Sequence, residues 1–380
     1  MNFELDEFQE GFRKKVAGLA RTHAAPYARK RDVQGTFPFE VMENLAEEGL
    51  LGIGVPKSYN GLGLDPVCLI LAIEELARCD GASALTLAAH SLACGHILQM
   101  GDEAQKRKFL PAMASGRSLG AWALAEVRSG SDAASLRTRA EKKPGGWVLN
   151  GTKMFVTQGS VAGVYIIMAR TGPDQDRHGI SAFIIEADTP GLRPVARLDK
   201  IGCRASDTAV VRLKDVWVPE DSLLGQKGRG LVDALGILDQ GRVGIGAMAV
   251  GLGQAALEAS LAFARRRKQF GRTIASFQAI QWMLADMATE ISAARLLVYR
   301  AAFLAAQGAP CTMQASMAKL YASEAATRAA NKAVQIHGGY GCLRSYPVER
   351  YLRDAKICEI GEGTSEIQRL IIARELMKMN

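Results

Sequence analysis

The order in which helical and strand patterns follow one another is the feature that most constrains the fold of this chain. Up to about residue 118, apolar residues recur at helical spacing, as in VCLILAIEELARCD. From about 119 to 225 they form short β-branched or alternating runs, such as VYIIMART and TAVVRLKDVWVPE, separated by Gly, Pro, Asp and Asn. From about 226 onward the long helical pattern returns. Because no long helix interrupts the strand-rich segment, we expect its strands to form an antiparallel sheet or barrel instead of β–α–β units.

This order predicts an α+β protein with three domains. We expect an all-helical N-terminal domain over residues 1–118, a central antiparallel β-barrel or β-sandwich domain over 119–225, and a C-terminal helical bundle domain over 226–380. A chain of 380 residues is long enough to bury the cores of several domains. The last segment contains stretches of small residues, such as GIGAMAVGLGQAALEAS, which allow helices to pack closely in a bundle.

Three local patterns give predictions that a structure can test directly. The helix predicted over DEAQKRKFLPAMASG is expected to stop at its proline. Gly244, Gly246 and Ala249 match G-x-G-x-x-A, but they lie inside a helical pattern, so we attribute them to tight helix packing and not to dinucleotide binding. Ser365 and Gln368 have the spacing of a capping box at the start of a helix.

Composition argues against a nucleic-acid-binding or metal-binding protein. The net charge is +8, but the basic residues are scattered and aromatic residues make up only 6%, so no basic stripe with interleaved aromatics marks a nucleic-acid surface. His90 and His96 are six residues apart and point to different faces of a helix, so no metal site is expected. The seven cysteines lack paired spacing, which favours free thiols in a reducing compartment.

The sequence also predicts a protein without a membrane span. The stretch from Val243 to Ala264 approaches membrane-spanning length, but it contains Gln254 and Glu258 and consists largely of Gly and Ala, which favours a buried helix. The first residues, MNFELDEFQE, are acidic and lack the pattern of a secretory signal, and no transit peptide is apparent. We therefore expect a cytoplasmic protein, or a mitochondrial-matrix protein if the chain is eukaryotic.

One carboxylate has an unusual setting. In CEIGEGTSEIQRLII, Glu362 lies between Gly361 and Gly363, and a helical pattern begins a few residues later. Glycines on both sides allow backbone angles that other residues avoid. On its own, this stretch is compatible with a solvated turn as well as with a functional carboxylate.

Four separated motifs, taken with the helix–strand–helix order, resemble the acyl-CoA dehydrogenase family of flavoproteins over nearly the whole chain. RDAKICEIGEGTSEIQRLIIAREL is similar to the C-terminal signature of that family, in which a Glu before Gly-Thr-Ser is the catalytic base. AWALAEVRSGSD is similar to its flavin-binding loop. RRRKQFGRTIASFQAIQ and AVQIHGGYG are similar to the segments through which a neighbouring subunit completes the flavin site. The resemblance implies a C-terminal four-helix bundle, FAD as cofactor and a homotetramer.

The resemblance implies a reaction in which Glu362 is the catalytic base. The carboxylate would remove the pro-R α-proton of an acyl-CoA thioester while the β-hydrogen leaves as hydride to flavin N5, giving the trans-2-enoyl thioester. Electrons would then pass to an electron-transfer flavoprotein. In the family, the developing enolate is stabilised by the N–H of the base residue and by the ribityl 2′-hydroxyl of FAD. A carboxylate enclosed in such a site should have a raised pKa. Some relatives carry the base on a bundle helix, but the matching residue here is Gly241.

The family pattern also implies which residues surround the FAD. Within one chain they belong to the flavin loop, the strand after it and the segment after the base: Trp122, Leu124, Ala125, Gly130, Ser131, Phe155, Thr157, Thr364 and Glu366. From the neighbouring subunit, Arg267 is expected to pair with the pyrophosphate, since its planar fork matches phosphate oxygens. The other residues expected from that subunit are Phe270, Ile274, Gln278, Gln335, Gly338 and Gly339. In this chain Ala125 replaces a usual Thr and Phe155 a usual Trp.

The residues implied for the substrate channel are Ser131, Asp239, Arg242, Gly361 and Gly363. The position before the base is often Tyr in straight-chain members of the family. Gly361 therefore favours a short or branched acyl group.

Three alternatives to an acyl-CoA dehydrogenase stay open at this point. In the flavin loop, Val127, Arg128 and Ser129 replace the usual Pro-Gly-Ala, which is compatible with an acyl group carried by an acyl-carrier protein. An acyl-CoA oxidase would keep the fold and the FAD, although such chains are much longer. A non-catalytic flavoprotein scaffold of the same fold is the third, and the presence of Glu362 argues against it.

Overall fold

The computed structural model of this chain describes residues 4–173, 176 and 179–378. Its N-terminal part contains six α-helices: α1 (Glu7–Leu19), α2 (Ala28–Gln34), α3 (Phe39–Glu47), α4 (Pro66–Ala77), α5 (Gly81–Met100) and α6 (Glu103–Ala114). Four of these helices begin after an Asp whose side chain accepts a backbone N–H bond of the first turn: Asp6, Asp65, Asp80 and Asp102. Their starts are therefore set by local sequence.

The proline of α6 does not end the helix. The prediction that this helix stops at Pro111 is wrong, because α6 continues to Ala114. A proline inside a helix loses one backbone hydrogen bond and crowds the preceding turn. Phe109, Leu110 and Met113 are buried on both sides of it. Their packing holds the helix together across the proline.

The central part is an eight-stranded sheet in the order β6-β7-β3-β2-β4-β5-β8, with β1 beside β4. The strands are β1 (Gly120–Ala123), β2 (Arg139–Lys143), β3 (Gly146–Thr157), β4 (Val164–Arg170), β5 (Ile180–Glu186), β6 (Leu192–Arg197), β7 (Thr208–Pro219) and β8 (Leu223–Leu224). Strand β4 runs parallel to β1 and, at one residue pair, to β2. The other pairings, including that of β4 with β5, are antiparallel. All seven residues of β4 are buried, and parallel pairing is typical of strands covered on both faces.

The C-terminal part is helical again. It consists of α7 (Gly230–Arg266), α8 (Gln278–Ala306), α9 (Thr312–His337), α10 (Val348–Ile360) and α11 (Ser365–Leu376), with a short hairpin of β9 (Lys268–Gln269) and β10 (Arg272–Thr273) between α7 and α8. Helix α7 packs against α8, α9 and α10 and also against α4 and α5, so it joins the two helical parts. The α+β fold with the order helical, β, helical is confirmed. The predicted domain limits fall in the connections from α6 to β1 and from β8 to α7.

The glycines of α7 serve helix packing, as the sequence predicted. A Cβ atom added at Gly246 would lie 3.0 Å from the Val298 side chain of α8. At Gly251 it would lie 2.3 Å from the carbonyl oxygen of Glu74 on α4. Helices α5 and α7 are both long and apolar enough to cross a membrane by length and composition, but most of each is buried inside this fold. Core helices of proteins that never enter a membrane share this property.

Candidate active site

Glu362 lies in the short connection between α10 and α11 and has a backbone φ of +58°. Only seven described residues other than glycine have a positive φ, and three of them, Phe155, Phe270 and Glu362, are site residues implied by the family resemblance. Such conformations cost about 1–3 kcal/mol each and persist where the surrounding structure enforces them. Three of the seven positive-φ residues therefore belong to the predicted site, and Glu362 is one of them.

The two glycines beside Glu362 differ in their backbone conformation. Gly363 has a φ of +94°, which a residue with a side chain rarely adopts. Gly361 has φ −62° and ψ 151°, an extended conformation open to any residue. A Cβ atom at Gly361 would meet only the Ile357 carbonyl oxygen, at 3.4 Å. The backbone thus requires glycine at 363 and not at 361.

Two buried side chains hold the carbonyl groups of this connection. The Gln368 side chain donates its Nε2–H to the carbonyl oxygens of Glu362 (3.2 Å) and Gly363 (2.8 Å). The Lys319 ammonium donates to the carbonyl oxygens of Glu359 (3.0 Å) and Gly363 (2.7 Å). Both side chains therefore bind the backbone around Glu362.

The predicted capping box of Ser365 and Gln368 is wrong. The residue that caps α11 is Thr364, whose hydroxyl oxygen accepts the N–H of Ile367 at 3.3 Å. Gln368 points back to the preceding loop instead. The physical reason is that the loop carbonyls lack helical partners and compete successfully for the Gln368 amide.

The carboxylate of Glu362 faces Gly241 on α7. A Cβ atom added at Gly241 would lie 2.6 Å from Oε2 and 2.9 Å from Cδ of Glu362. It would also lie 3.2 Å from the Leu92 side chain on α5. A side chain at position 241 and the present position of the Glu362 carboxylate exclude each other.

The Glu362 carboxylate is buried without a hydrogen-bond partner. The residue as a whole is partly exposed, but Oε2 is buried and has no partner among the described residues. Burial raises the pKa of Glu362 to about 7, opposed by the positive charges of Arg242 and Lys319. The pKa depends on the surroundings of the carboxyl oxygens, so the burial of Oε2 affects it more than the partial exposure of the whole residue. A carboxyl group with a pKa near 7 can take up and release a proton at neutral pH.

Asp239 and Arg242 form a buried pair one turn apart on α7. An Oδ1 atom of Asp239 accepts from Nη1 of Arg242, and its Oδ2 accepts from the Thr312 hydroxyl at 2.5 Å. The Nε atom of Arg242 is buried and has no partner among the described residues. Arg242 follows Gly241 directly, so its charge acts close to the Glu362 carboxylate.

The flavin loop is tied to β3 by a second buried ion pair. The Lys153 ammonium, fully buried, donates to Glu126 Oε1 (2.7 Å) and to the Leu124 carbonyl oxygen (3.1 Å). The Glu126 carboxylate also accepts the backbone N–H groups of Arg137 (2.6 Å) and Thr138 (2.9 Å). Charge and hydrogen bonds from these groups lower the pKa of Glu126 despite its burial. The Ala125 carbonyl oxygen accepts the N–H of Met154, which fixes the loop one residue before Phe155.

Phe155 and Trp122 lie next to this loop. Phe155 sits in an irregular stretch of β3 and is 64% exposed, an unusual setting for a large aromatic side chain. Trp122 on β1 donates its indole N–H to Nδ1 of His96 at 2.9 Å. His96 and Leu92 are one turn apart on α5, and Leu92 adjoins the Gly241–Glu362 contact. Helix α5 therefore connects the flavin loop with the carboxylate.

Four of the seven residues expected to reach a neighbouring subunit line a separate cavity of about 490 Å³ at the ends of α7 and α9. Its lining consists of Phe263, Arg267, Gln269, Ile274, Ile336, His337, Gly338, Gly339, Tyr340 and Leu343. The Arg267 guanidinium lies 5.2 Å from the Tyr340 ring centre, and no described carboxylate is within salt-bridge distance of it. Nothing would lie within 4 Å of a Cβ atom at Gly338 or Gly339. A cation without a partner in an open cavity fits a phosphate group.

The remaining predicted residues lie at the surface or at helix starts. Thr364 caps α11, and Glu366 is exposed in its first turn, where backbone N–H groups and Thr364 lower its pKa. Exposed positions are occupied by Gly130, Ser131, Phe270, Gln278 and Gln335.

Sequence reasoning missed five side chains that position the site: His96, Glu126, Lys153, Lys319 and Gln368. A signal was present for Lys319, because SMAKLYASEAA places one lysine on a helix face of small buried residues. A charged residue on a buried face needs partners, which marks it for attention. No comparable pattern marks His96 or Lys153.

Comparisons with known proteins agree with the helical, β, helical order of the chain. Family models described as the acyl-CoA dehydrogenase N-terminal, middle and C-terminal domains match residues 6–117, 121–216 and 228–377. An acyl-CoA dehydrogenase of Bacillus subtilis is 50% identical over 366 residues, 96% of this chain and 97% of that protein. The solved structure of butyryl-CoA dehydrogenase from Megasphaera elsdenii is 41% identical with a TM-score of 0.97, covering 99% of this chain and 100% of that one. A structure described as the electron transferring flavoprotein of Acidaminococcus fermentans includes a chain 42% identical, with a TM-score of 0.98 and complete coverage of both chains.

Proposed function

This chain belongs to the acyl-CoA dehydrogenase family of FAD-dependent oxidoreductases, and we propose that it oxidises a short or branched acyl-CoA to the trans-2-enoyl-CoA. In this proposal Glu362 is the base. The observation that carries this proposal is the setting of one carboxylate. Glu362 is held at φ +58°, its Oε2 is buried without a partner, and its pKa is raised to about 7. A group of this kind is suited to accept a proton from carbon at neutral pH.

The residues of this chain account for the proton and for the thioester oxygen. Glu362 takes the α-proton, and the electron pair of the Cα–H bond becomes the new double bond. The backbone N–H of Glu362 has no acceptor among the described residues, so it is free to bind the thioester oxygen as negative charge develops there. When bound, FAD supplies the two-electron acceptor that takes up the β-hydrogen with its electron pair.

The chain offers two groups of residues that fit FAD. Near the flavin loop, Phe155 is exposed and Thr157 and Trp122 are partly exposed, and we assign these side chains to the isoalloxazine ring. The cavity with Arg267, Gly338 and Gly339 has an unpaired guanidinium and open glycine backbone for the pyrophosphate. We assign the second group to the FAD of a neighbouring subunit.

Assembly into a homotetramer is supported by the outer face of α8. Trp282, Leu296 and Phe303 lie on one side of this helix at multiples of seven residues and are 62%, 48% and 57% exposed. Large exposed apolar side chains in a row mark a protein interface. An electron-transfer flavoprotein is the proposed electron acceptor, and the cytoplasm the proposed location.

The acyl group is proposed from the free space beside the base. Position 361 does not require glycine, because its backbone is extended and a Cβ atom there would be accommodated. Glycine at this position therefore leaves free volume next to the reacting carbons, although the backbone conformation does not require glycine there. This favours a short or branched acyl group over a long straight one.

The test is anaerobic titration of the purified holoenzyme with butyryl-CoA, isobutyryl-CoA and octanoyl-CoA while the flavin absorbance is recorded. Bleaching by the short or branched thioesters, and less by octanoyl-CoA, is the expected result. A colourless protein, or a flavin that no acyl thioester bleaches, would contradict the proposal.

A second candidate substrate is the same acyl group on an acyl-carrier protein. Val127 is 74% exposed and Arg128 is exposed beside it, and an exposed Arg in the flavin loop suits an acidic carrier. Faster flavin bleaching by the carrier-bound thioester than by the CoA thioester would favour this substrate.

A further inference from the structure

Lys319 on α9 is a fully buried lysine without a carboxylate partner. Its side chain has 0% exposure, and no described carboxylate is within salt-bridge distance of its ammonium group. Its hydrogen-bond partners are the carbonyl oxygens of Glu359 at 3.0 Å and Gly363 at 2.7 Å. Removing an ammonium group from water is costly unless its hydrogen bonds are replaced. Burial accordingly lowers the pKa of Lys319 to about 8.

The two acceptors of Lys319 flank the base. Glu359 belongs to the last turn of α10, whose final carbonyl groups have no helical partner. Gly363 follows Glu362 directly. One ammonium group thus joins the end of a helix to the residue after the base, and the backbone between them must arch around it. That arch contains the positive φ of Glu362.

Gln368 binds the same arch without a charge. Its amide donates to the carbonyl oxygens of Glu362 and Gly363. A neutral amide is therefore able to bind these carbonyls, so hydrogen bonding alone does not call for a lysine at 319. A buried cation at this position adds an electrostatic effect that an amide lacks.

We propose that Lys319 is a positioning residue for Glu362, which clamps the arch through two carbonyl groups and, at neutral pH, places a positive charge near the carboxylate. This inference rests on the proposed role of Glu362 as the base. The titratable and charged groups that face Lys319 are Cys358, Glu359 and Glu362 from α10 and its following loop, and Arg242 from α7. Arg242 and Lys319 are the two positive charges that face Glu362.

The sign of the effect follows from the charge. A nearby cation favours the ionised carboxylate, so removing it raises the pKa of Glu362 above about 7. The fraction of enzyme with an ionised base then falls at neutral pH and recovers only at higher pH. Removing the clamp has a different effect, because a misplaced base lowers kcat at every pH.

Three variants separate the two effects. Lys319→Met removes both the charge and the donors. Lys319→Gln keeps donors that reach a carbonyl but removes the charge, and Lys319→Arg keeps the charge. Lys356→Met is the matched control, since this exposed lysine of α10 pairs with the Glu359 side chain and lies near the same arch.

Two measurements are made on the FAD-loaded enzymes. The first is the pH dependence of kcat and of kcat/KM with the preferred acyl-CoA. The second, without substrate, follows the protonated carboxyl band of Glu362 by infrared difference spectroscopy against pH, with Glu362→Gln as the reference. This band reports the base directly and does not depend on turnover.

We expect the midpoint of the pH–rate profile and the midpoint of the infrared titration to rise by roughly one pH unit in Lys319→Met and Lys319→Gln. Both midpoints should stay near the wild-type value in Lys319→Arg and Lys356→Met. We expect kcat at high pH to fall on the order of 10- to 100-fold in Lys319→Met and less in Lys319→Gln. An unshifted midpoint in Lys319→Gln overturns the inference. This result decides the question even if Lys319→Met fails to fold. An equal shift in Lys356→Met also overturns the inference.

The two proposals fail in different ways. If Glu362→Gln still reduces its flavin with substrate, the proposed base is wrong. If Glu362→Gln is inactive while Lys319→Met and Lys319→Gln keep the wild-type midpoint, only the role of Lys319 is wrong.

Discussion

Two buried carboxylates, Glu126 and Glu362, show how the same side chain serves structure in one place and chemistry in another. Each lies near a fully buried lysine, Lys153 or Lys319. Lys153 bonds directly to the Glu126 carboxylate, which also accepts two backbone N–H groups, so the pKa of Glu126 is lowered. Lys319 bonds to backbone carbonyls and leaves the Glu362 oxygen Oε2 unpaired, so the pKa of Glu362 is raised to about 7.

The difference lies in what each lysine binds. A carboxylate whose oxygens are all occupied has nothing left to accept a proton from a substrate, but it fixes a loop firmly. A carboxylate that is buried and unpaired is costly to keep ionised, and that cost makes it a competent base near neutral pH. Variants at each site test this difference.

The largest expected effect is the loss of chemistry in Glu362→Gln. An amide cannot take the α-proton, so flavin reduction by substrate should slow on the order of a thousandfold or more while FAD stays bound. Stopped-flow absorbance of the holoenzyme mixed with acyl-CoA measures this. Glu324→Gln, a partly exposed carboxylate that pairs with Arg369, is the control and should reduce its flavin normally. Near-normal flavin reduction in Glu362→Gln would show that Glu362 is not the base.

The opposite variant, Glu126→Gln, should affect stability first. It leaves the Lys153 ammonium buried without its charged partner and turns an amide toward two N–H donors. Breaking one side of a buried ion pair costs about 3–5 kcal/mol. We expect a clearly lower Tm of the holoenzyme and weaker retention of FAD, whereas Glu141→Gln, at an exposed pair on β2, should change neither. A wild-type Tm in Glu126→Gln would show that this carboxylate is not the structural counterpart of Glu362.

Much of the fold follows from local sequence. The helix–strand–helix order and the small-residue face of α7 are read from short segments, and each predicted its element correctly. The proline of α6 was misjudged because Phe109, Leu110 and Met113 pack against distant parts of the chain, and propensity gives way to tertiary packing.

The site was predictable only in part for the same reason. The motif around Glu362 pointed to a base, but its environment is built from residues far away in sequence. Lys319 and Gly363 are 44 residues apart and lie on separate elements. Gln368 was assigned to a helix cap because its spacing fits one, yet the unpaired loop carbonyls attract its amide. Spacing within one segment cannot reveal such contacts.

A third variant tests the space that lets the Glu362 carboxylate stay unpaired. Gly241→Ala places a methyl group 2.6 Å from Oε2, so the carboxylate or α7 must move. A shift of the base by about 1 Å can lower kcat on the order of 100-fold. Gly236→Ala, on the same helix with nothing within 4 Å of the new methyl group, is the matched control and should be near normal. Equal kcat values in the two variants would show that the fit at Gly241 is loose.

The smallest expected effect separates the two carboxylates by the sign of their contribution to stability against pH. The folded-state pKa of Glu362 is raised from 4.5 to about 7, so folding binds a proton between these values. The wild-type stability linked to Glu362 is therefore full below about pH 4.5 and is lost as pH rises through about 7. Glu362→Gln, which cannot ionise, should escape this loss. A full shift of this size corresponds to about 3 kcal/mol, and because the residue is partly exposed we expect about 2 kcal/mol.

The measurement is the Tm of each variant, Glu362→Gln or Glu126→Gln, minus that of the wild type, with FAD bound in both, from about pH 3.5 to 8.5. For Glu362→Gln this difference should be near zero at the acidic end, become increasingly positive between about pH 4.5 and 7, and level off above about pH 7. For Glu126→Gln the sign is reversed, because a lowered pKa stabilises the wild type above the unfolded value and that stability fades only as pH falls. Its Tm difference should be negative and nearly constant from neutral pH down to about pH 5, and it should shrink only below about pH 4.5. Parallel curves for the two variants would mean that burial, and not the choice of partner, governs both carboxylates.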